Sequence, residues 1–244
     1  MTDQQPEPAA PGERTFRPGG RQTIPRPPVW EAVDAPLAVS PPLHITTDSI
    51  VHALRDVDIE RVEADFSGVR PSAVLVVLAD DVHGDAGVLL TRRSTALRNH
   101  SGEMSFPGGR LDGNETAVEA ALREAHEEVG LEPSAVEIVG ELNHLATVVS
   151  KSHIVPIVGR VASQVELAPA SSEVERVMWV PLAEFVRADT YRAERWTVPW
   201  PGPGGVRGPS QRVLYFFELD DETVWGATAF VLRDLFSRLG DPAS

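Results

Sequence analysis

The chain has 244 residues, 42% hydrophobic and 24% charged, a composition typical of a soluble globular protein. It contains no cysteine, which excludes disulfides, zinc sites with thiolate ligands and cysteine nucleophiles. The formal net charge of −14 disfavours nucleic-acid binding, because that binding depends on lysine and arginine contacts with phosphates. An anionic small-molecule substrate remains compatible with this charge, since clustered carboxylates recruit cations that reverse the local sign.

The N-terminal part of the chain differs in composition from the rest. Residues 1–45 contain ten prolines, so we predict a flexible or loosely docked arm there. Residues 46–69 are expected to form a short helical lead-in, and residues 70–240 the main domain. The arm begins without the apolar region of a secretory signal, and no run of residues is apolar enough to cross a membrane. We therefore expect a cytoplasmic protein.

Hydrophobic periodicity predicts the elements of the main domain. Two β-prone runs, residues 73–78 and 87–91, flank a turn-rich segment and predict a hairpin. Helical periodicity follows over residues 117–129. Beyond it, the patterns predict strands at 136–142, 146–149, 154–161, 174–180 and 212–219, a short helix at 181–186 and a closing helix at 225–239. Strands on both sides of a central helix predict an α+β fold with a mixed sheet between helices.

Residues 109–131, GRLDGNETAVEAALREAHEEVGL, carry the main functional pattern. Thr116 and Glu119 have the spacing of a capping box, which predicts a helix beginning at Ala117. Gly130 stands where a left-handed residue would end that helix. The predicted helix is therefore bounded at both ends by its own sequence.

Three carboxylates lie on one strip of this helix. Glu124, Glu127 and Glu128 are three and four residues apart, so their like charges are destabilising unless something compensates them. Mg²⁺ or Mn²⁺ is the natural compensation, because these hard cations prefer oxygen ligands. Arg123 stands four residues before Glu127 and could orient its carboxylate.

The same segment resembles the Nudix box, G-x5-E-x7-R-E-U-x-E-E-x-G-U, at every fixed position. Ala125 occupies an apolar position that usually holds a larger residue. The resemblance implies an α/β/α sandwich and an enzyme that hydrolyses a phosphoanhydride bond with Mg²⁺ or Mn²⁺.

The resemblance also implies roles for individual residues. Glu124 and Glu128 correspond to the principal metal ligands, and Glu127 to a further ligand or a group that positions water. Glu115 corresponds to a residue that supports the loop or the metals. Gly108 and Gly109 would let the loop backbone approach the metal or the phosphate. Two candidates remain for the general base, Glu127 and Glu173.

Upstream of the box, residues 89–109 read LLTRRSTALRNHSGEMSFPGG. This motif segment resembles LLTxRSxxLRxHxGExxFPGG of the coenzyme A diphosphatase branch of the Nudix family. The resemblance implies hydrolysis of coenzyme A or acyl-coenzyme A to 3′,5′-ADP and (acyl-)4′-phosphopantetheine. Arg93, Arg98 and His100 are then substrate-binding candidates, suited to phosphate contacts. Strand alternation would send either Arg92 or Arg93 away from the site.

Two other interpretations stay open at this point. The box is also compatible with another nucleoside diphosphate derivative, such as ADP-ribose, NADH or a dinucleoside polyphosphate. A Nudix domain can alternatively sense a nucleotide without turnover, although such domains usually have eroded boxes and this box is intact. In each case the partner is a small molecule, and a homodimer is left open.

Overall fold

The computed structural model describes residues 16–39, 44–55, 57–62, 68–97, 100–199 and 209–240. Among these residues no helix is long and apolar enough to span a membrane. The strands are β1 Trp30–Val33, β2 Arg70–Asp80, β3 Ala86–Arg93, β4 Met104–Ser105, β5 Gly108–Arg110, β6 Glu137–Glu141, β7 Leu145–Thr147, β8 Ser152–Arg160, β9 Val174–Pro181, β10 Tyr191–Val198, β11 Ser210–Glu218 and β12 Thr223–Trp225. The helices are α1 Thr47–Ala53, α2 Ala117–Val129, α3 Leu182–Phe185 and α4 Gly226–Leu239, with a 3₁₀ turn at Pro133–Ala135.

The larger sheet is mixed and lies between helices, as the sequence predicted. Its order is β4-β3-β2-β8-β6, with β5 and β7 added beside β2 and β8, and β9 beside β3. β2 and β8 are parallel, and the remaining pairs are antiparallel. Alternate residues of β2 enter two different cores: Leu75 packs on the side of α2, and Val76 on the side of α4. Burial on both faces explains the nearly continuous apolar run of β2.

Helix α2 has the predicted bounds. The Thr116 side chain accepts a hydrogen bond from the Glu119 backbone, and the Glu119 carboxylate accepts one from the Thr116 backbone, which completes the capping box. Gly130 ends the helix with φ 71°. Local sequence therefore determines where the box helix begins and ends. It thereby determines where each glutamate stands along the helix.

A second, four-stranded antiparallel sheet was not predicted. Its order is β1-β10-β11-β12. β10 has the sequence YRAERWTV. Its three charged residues interrupt the alternation of apolar and polar residues by which a strand is predicted. One of them, Glu194, is nevertheless buried. We call this four-stranded unit the small sheet.

Residues 16–39 of the proline-rich arm are docked on the small sheet. β1 pairs with β10 from Trp30↔Trp196 onwards. Arg17 forms an ion pair with Glu184, and Arg26 with Glu194. Prolines limit regular hydrogen bonding, but one short strand and two arginines that meet buried or half-buried carboxylates are enough to hold the segment. Among the described residues of the predicted lead-in, α1 is the helical part.

Candidate active site

The loop that precedes α2 approaches the helix through two glycines of β5. A Cβ on Gly108 would lie 2.4 Å from the carbonyl oxygen of Ala73, and one on Gly109 would lie 2.2 Å from Oε1 of Glu124. Gly108 therefore excludes a side chain on steric grounds, and a side chain at Gly109 would displace the Glu124 carboxylate. The consequence is that the loop backbone and the helix carboxylates meet directly.

Two box carboxylates are withdrawn from solvent at this meeting point. Glu128 is 6% exposed, and its Oε2 accepts a hydrogen bond of 3.3 Å from the backbone N–H of Gly108. Burial raises the pKa of Glu128 to about 7. Burial also raises the pKa of Glu124, partly offset by its contact with Arg123. Both carboxyl groups therefore take up a proton more readily than an exposed glutamate does.

Arg123 links the loop with the carboxylates of the helix. Its Nε donates to Glu115 Oε1 at 2.9 Å, and its Nη1 lies 3.0 Å from Glu124 Oε1 and 3.3 Å from Glu127 Oε2. Its Nη2 donates to the carbonyl oxygen of Arg110 at 3.0 Å. The Arg123 hydrogen bond holds the pKa of the Glu115 carboxyl below its usual range. Glu127 itself is more than half exposed, which leaves one face of its carboxylate free for solvent.

Arg93, from the end of β3, reaches the same place from the motif segment. Its Nη1 lies 4.0 Å from Glu128 Oε1, and its Nη2 lies 3.2 Å from Glu173 Oε2. Its Nε is buried and has no hydrogen-bond partner. Arg93 therefore bridges a box carboxylate and the second general-base candidate, with donor capacity left over.

The neighbouring Arg92 points to the opposite face of the sheet. Its Nη1 donates to Glu222 at 2.9 Å, and its Nη2 donates to Glu175 at 3.1 Å. Strand alternation, which left the choice between Arg92 and Arg93 open, therefore sends Arg92 to the small sheet and Arg93 to the box.

The next part of the motif segment is fastened beside Arg93. The backbone N–H of Arg93 donates to the Glu103 carbonyl at 2.9 Å, and that of Gly102 donates to the Arg93 carbonyl at 3.2 Å. His100 lies 2.8 Å from Glu103 (Nδ1 to Oε2), and this hydrogen bond raises the pKa of His100. Arg98 lies outside the described residues. The backbone pairing of Glu103 with Arg93 was missed in the sequence, since no side-chain pattern reports it.

Comparison with known proteins decides the family. A NUDIX domain model matches residues 69–201, more than half of the chain. "Uncharacterized Nudix hydrolase NudL" of Escherichia coli O7:K1 is 37% identical over 173 residues, covering 70% of this chain and 83% of its own. The chain belongs to the Nudix family.

Two further likenesses accompany that match. The NudL protein of Klebsiella pneumoniae strain 342 is 36% identical over the same length and coverage. A crystal structure of the Nudix hydrolase RenU from M. smegmatis aligns with a TM-score of 0.43 and 25% identity, covering 49% of this chain and 74% of that one. By the domain match and the NudL relatives, the chain is a Nudix phosphoanhydride hydrolase of small-molecule nucleotide substrates.

The donor set of this Nudix hydrolase fits a divalent cation of the kind the family generally uses. Glu124 and Glu128 repel each other, are partly buried and have raised pKa values. A bound cation would offset both the repulsion and the cost of burying the two charges. Within the described ranges no three His, Asp or Glu side chains form a complete ligand set.

Proposed function

We propose that this Nudix hydrolase cleaves the diphosphate of coenzyme A or acyl-coenzyme A into 3′,5′-ADP and (acyl-)4′-phosphopantetheine. The observation that carries the proposal is the position of Arg93. It belongs to the motif segment that resembles the coenzyme A branch, and its guanidinium lies 4.0 Å from the box carboxylate Glu128. The proposed phosphate-binding group and the proposed metal ligand are thus next to each other, which supports a diphosphate substrate.

In this proposal Glu124 and Glu128 hold Mg²⁺ or Mn²⁺, with Glu127 as a further ligand. A cation bound there would neutralise phosphate charge and make a water molecule more acidic. Arg123 orients Glu124 and Glu127, since its guanidinium contacts both carboxylates and is fixed to the loop through Glu115. Gly108 and Gly109 give the diphosphate access to the loop backbone.

The substrate is held by the motif segment. Arg93 has an unpaired Nε and exchanges its contact with Glu173 for a bidentate contact with phosphate. His100 is kept in place by Glu103, and the raised pKa favours the protonated ring, which adds a positive charge for the same anion. Arg98 is proposed to join them on the strength of the motif alone.

The proton acceptor is proposed to be Glu127 or Glu173, which differ in their surroundings. Glu127 is more than half exposed and contacts Arg123, which stays in place in our proposal. Glu173 is equally exposed, and its contact is with Arg93, which the substrate would draw away. Separate Glu127→Gln and Glu173→Gln variants distinguish them, because loss of the base removes the acidic limb of the pH dependence of kcat.

The test of the proposed function is a product analysis. The whole chain is incubated with coenzyme A and Mg²⁺ or Mn²⁺, and mass spectrometry is expected to show 3′,5′-ADP and 4′-phosphopantetheine in equal amounts. The Glu128→Gln protein, purified identically, serves as the control for contaminating hydrolases.

A substrate panel makes the same experiment decisive. Conversion of ADP-ribose, NADH or a dinucleoside polyphosphate without conversion of coenzyme A would replace the proposed substrate. No conversion of any compound, with binding retained, would identify a nucleotide sensor instead. Comparison with the 3′-dephospho form of coenzyme A shows whether the arginines of the motif segment recognise the 3′-phosphate.

A further inference from the structure

Two arginines stand directly opposite each other near the end of β3 and the start of β9. Arg92 of β3 pairs with Arg176 of β9. Both side chains point towards the small sheet, where both reach Glu222. Like charges directly opposite each other in an antiparallel pair are destabilising. This end of the larger sheet is therefore stable only if a negative charge lies between the two strands.

The backbone pairing of β3 with β9 is interrupted at the same place. After Arg92↔Arg176 the register shifts, so that Arg93 pairs with Val174. Glu175 is left out of this register and is the extra residue of a β-bulge. A bulge locally disrupts the hydrogen-bonded ladder. Side-chain contacts consequently contribute more to holding the two strands together here than elsewhere along the pair.

Glu222, in the turn between β11 and β12, supplies the contact that joins the two strands. It is 1% exposed, and its Oε1 accepts hydrogen bonds from Arg92 Nη1 at 2.9 Å and from Arg176 Nη1 at 3.1 Å. Its Oε2 accepts a hydrogen bond of 3.1 Å from Nε2 of Gln22 in the docked arm. Its backbone carbonyl accepts one of 2.8 Å from the N–H of Leu219. One carboxylate oxygen thus bridges both arginines, and the arm and the turn hold it in place.

Two other carboxylates lie nearby but do not replace this bridge. Glu175 contacts Arg92 at 3.1 Å, and Asp221 contacts Arg176 at 2.6 Å. Their side chains are 40% and 64% exposed, so water weakens both ion pairs. Of the three carboxylates, Glu222 is the one that contacts both arginines.

Immediately beyond the bulge, the same two strands lead to the candidate active site. The backbone N–H of Ser94 donates to the Glu173 carbonyl at 2.7 Å, and Arg93 Nη2 lies 3.2 Å from Glu173 Oε2. Arg93 Nη1 lies 4.0 Å from Glu128 of the box. The separation of the strand ends therefore determines where Arg93 stands relative to Glu173 and to the box.

We propose that Glu222 is a positioning residue of the active site. By holding the two opposed arginines together across the bulge, it sets the distance between Arg93 and Glu173. Its effect on catalysis rests on the proposed function, in which Arg93 binds the substrate phosphate. Its effect on the strand ends does not depend on the substrate. Without the charge of Glu222 the opposed arginines repel each other, and we expect the strand ends to separate.

Amide hydrogen exchange of the whole chain tests the bridge without any substrate. The Ser94 N–H, which donates across the strand ends, should exchange about tenfold faster in Glu222→Gln, a typical size for the coupling between contacting residues. Adding Arg92→Ala should return the rate to that of Arg92→Ala alone, since a single arginine has no like charge opposite it. Glu194→Gln is the matched control, because Glu194 is equally buried and also contacts two arginines, and it should leave Ser94 unchanged.

Steady-state kinetics with coenzyme A tests the consequence for the site. Glu222→Gln should raise KM about tenfold with a smaller change in kcat, because it displaces the group proposed to bind phosphate. Glu222→Gln/Arg92→Ala should restore KM to that of Arg92→Ala. A loss of stability alone would lower the amount of active protein and leave KM unchanged. Absence of turnover by wild type would count against the proposed function, and the exchange experiment would still decide the role of Glu222 at the strand ends.

Unchanged exchange of Ser94 in folded Glu222→Gln would overturn the proposal, as would failure of Arg92→Ala to reverse the change. Faster exchange with an unchanged KM would confine Glu222 to stability and overturn its positioning role. If Glu222→Gln does not fold, Glu222→Asp takes its place. It keeps the charge, but its shorter side chain cannot reach both arginines, so faster exchange of Ser94 is again expected and an unchanged rate would again overturn the proposal.

Discussion

Two glutamates of this protein are almost equally buried and have opposite surroundings. Glu194 of the small sheet is 1% exposed, and Glu128 of the box helix is 6% exposed. Glu194 accepts hydrogen bonds from Arg26 at 2.7–3.0 Å and from Trp196 Nε1 at 2.6 Å, and Arg192 contacts it as well. Glu128 has one backbone N–H and an arginine at 4.0 Å.

The protonation equilibria follow the partners. Burial alone would raise the pKa of Glu194, but its hydrogen bonds with Arg26 and Trp196 and its attraction to Arg192 outweigh burial and lower it. Burial raises the pKa of Glu128 to about 7, and its few partners do not offset it. The charge of Glu194 is compensated within the chain. The charge of Glu128 is not, and a bound cation would compensate it.

The largest effect is expected from Glu128→Gln. Loss of this proposed ligand should lower kcat by about 10²–10³-fold, because a bound metal supplies several kcal/mol of transition-state stabilisation. The melting temperature should stay the same or rise, since the substitution removes a carboxylate that has few partners. Steady-state kinetics and a thermal melt check both. Activity within a few-fold of wild type would show that Glu128 is not a ligand.

Addition of metal provides the second test of the comparison. Mg²⁺ at a hundred times its Kd should raise the free energy of unfolding by about 2.7 kcal/mol, because it binds only the folded chain. For a domain of this size that corresponds to about 5–10 °C in melting temperature. The increase should vanish in Glu128→Gln and persist in Glu194→Gln.

The adjacent residues Arg92 and Arg93 allow the small sheet and the box to be compared by single substitutions. Arg93→Ala should lower kcat/KM for coenzyme A by about 10–10²-fold, the value of charge-assisted hydrogen bonds of about 1.5–3 kcal/mol. Arg92→Ala is the matched control. It should leave KM unchanged and lower the melting temperature, because Glu222 would remain buried with one of its arginines gone. Equal effects of both variants on KM would contradict the assignment of the two faces.

The box helix could be predicted from sequence, including its first and last residues, because its signals are local. Thr116 and Glu119 report its start, Gly130 reports its end, and fixed spacings place Glu124 and Glu128 on one face. The hairpin, strands β6 to β9, β11 and α4 followed from hydrophobic periodicity for the same reason. Such signals need no information about which segments pair.

The small sheet could not be predicted, since its charged interior resembles a surface until the partners are known. Glu194 and Arg192 of β10 become a buried pair only when Arg26, 168 residues before Glu194 in the chain, closes over them. Likewise, the sequence left open which of Arg92 and Arg93 faces the box, and only the folded structure shows that Arg93 lies beside Glu128 while Arg92 contacts Glu222. The local sequence pattern does not show which distant charges will pair in the folded chain.

The smallest predicted effect is the loss of stability when the charge of Glu194 is removed. Glu194→Gln keeps the shape of the side chain but removes the charge opposite Arg26 and Arg192, so we expect a loss of about 1–2 kcal/mol in unfolding free energy, since both arginines keep some access to water. Turnover per folded molecule should not change.

Glu31→Gln is the matched control: its ion pair with Arg195 is exposed and should contribute no measurable stability. Urea unfolding followed by circular dichroism measures both variants, and an equal loss would mean that the charge of Glu194 matters no more than a surface charge. If instead Glu194→Gln lowered turnover without lowering stability, the division between a structural and a catalytic carboxylate would fail, and the small sheet would have to be counted as part of the active site.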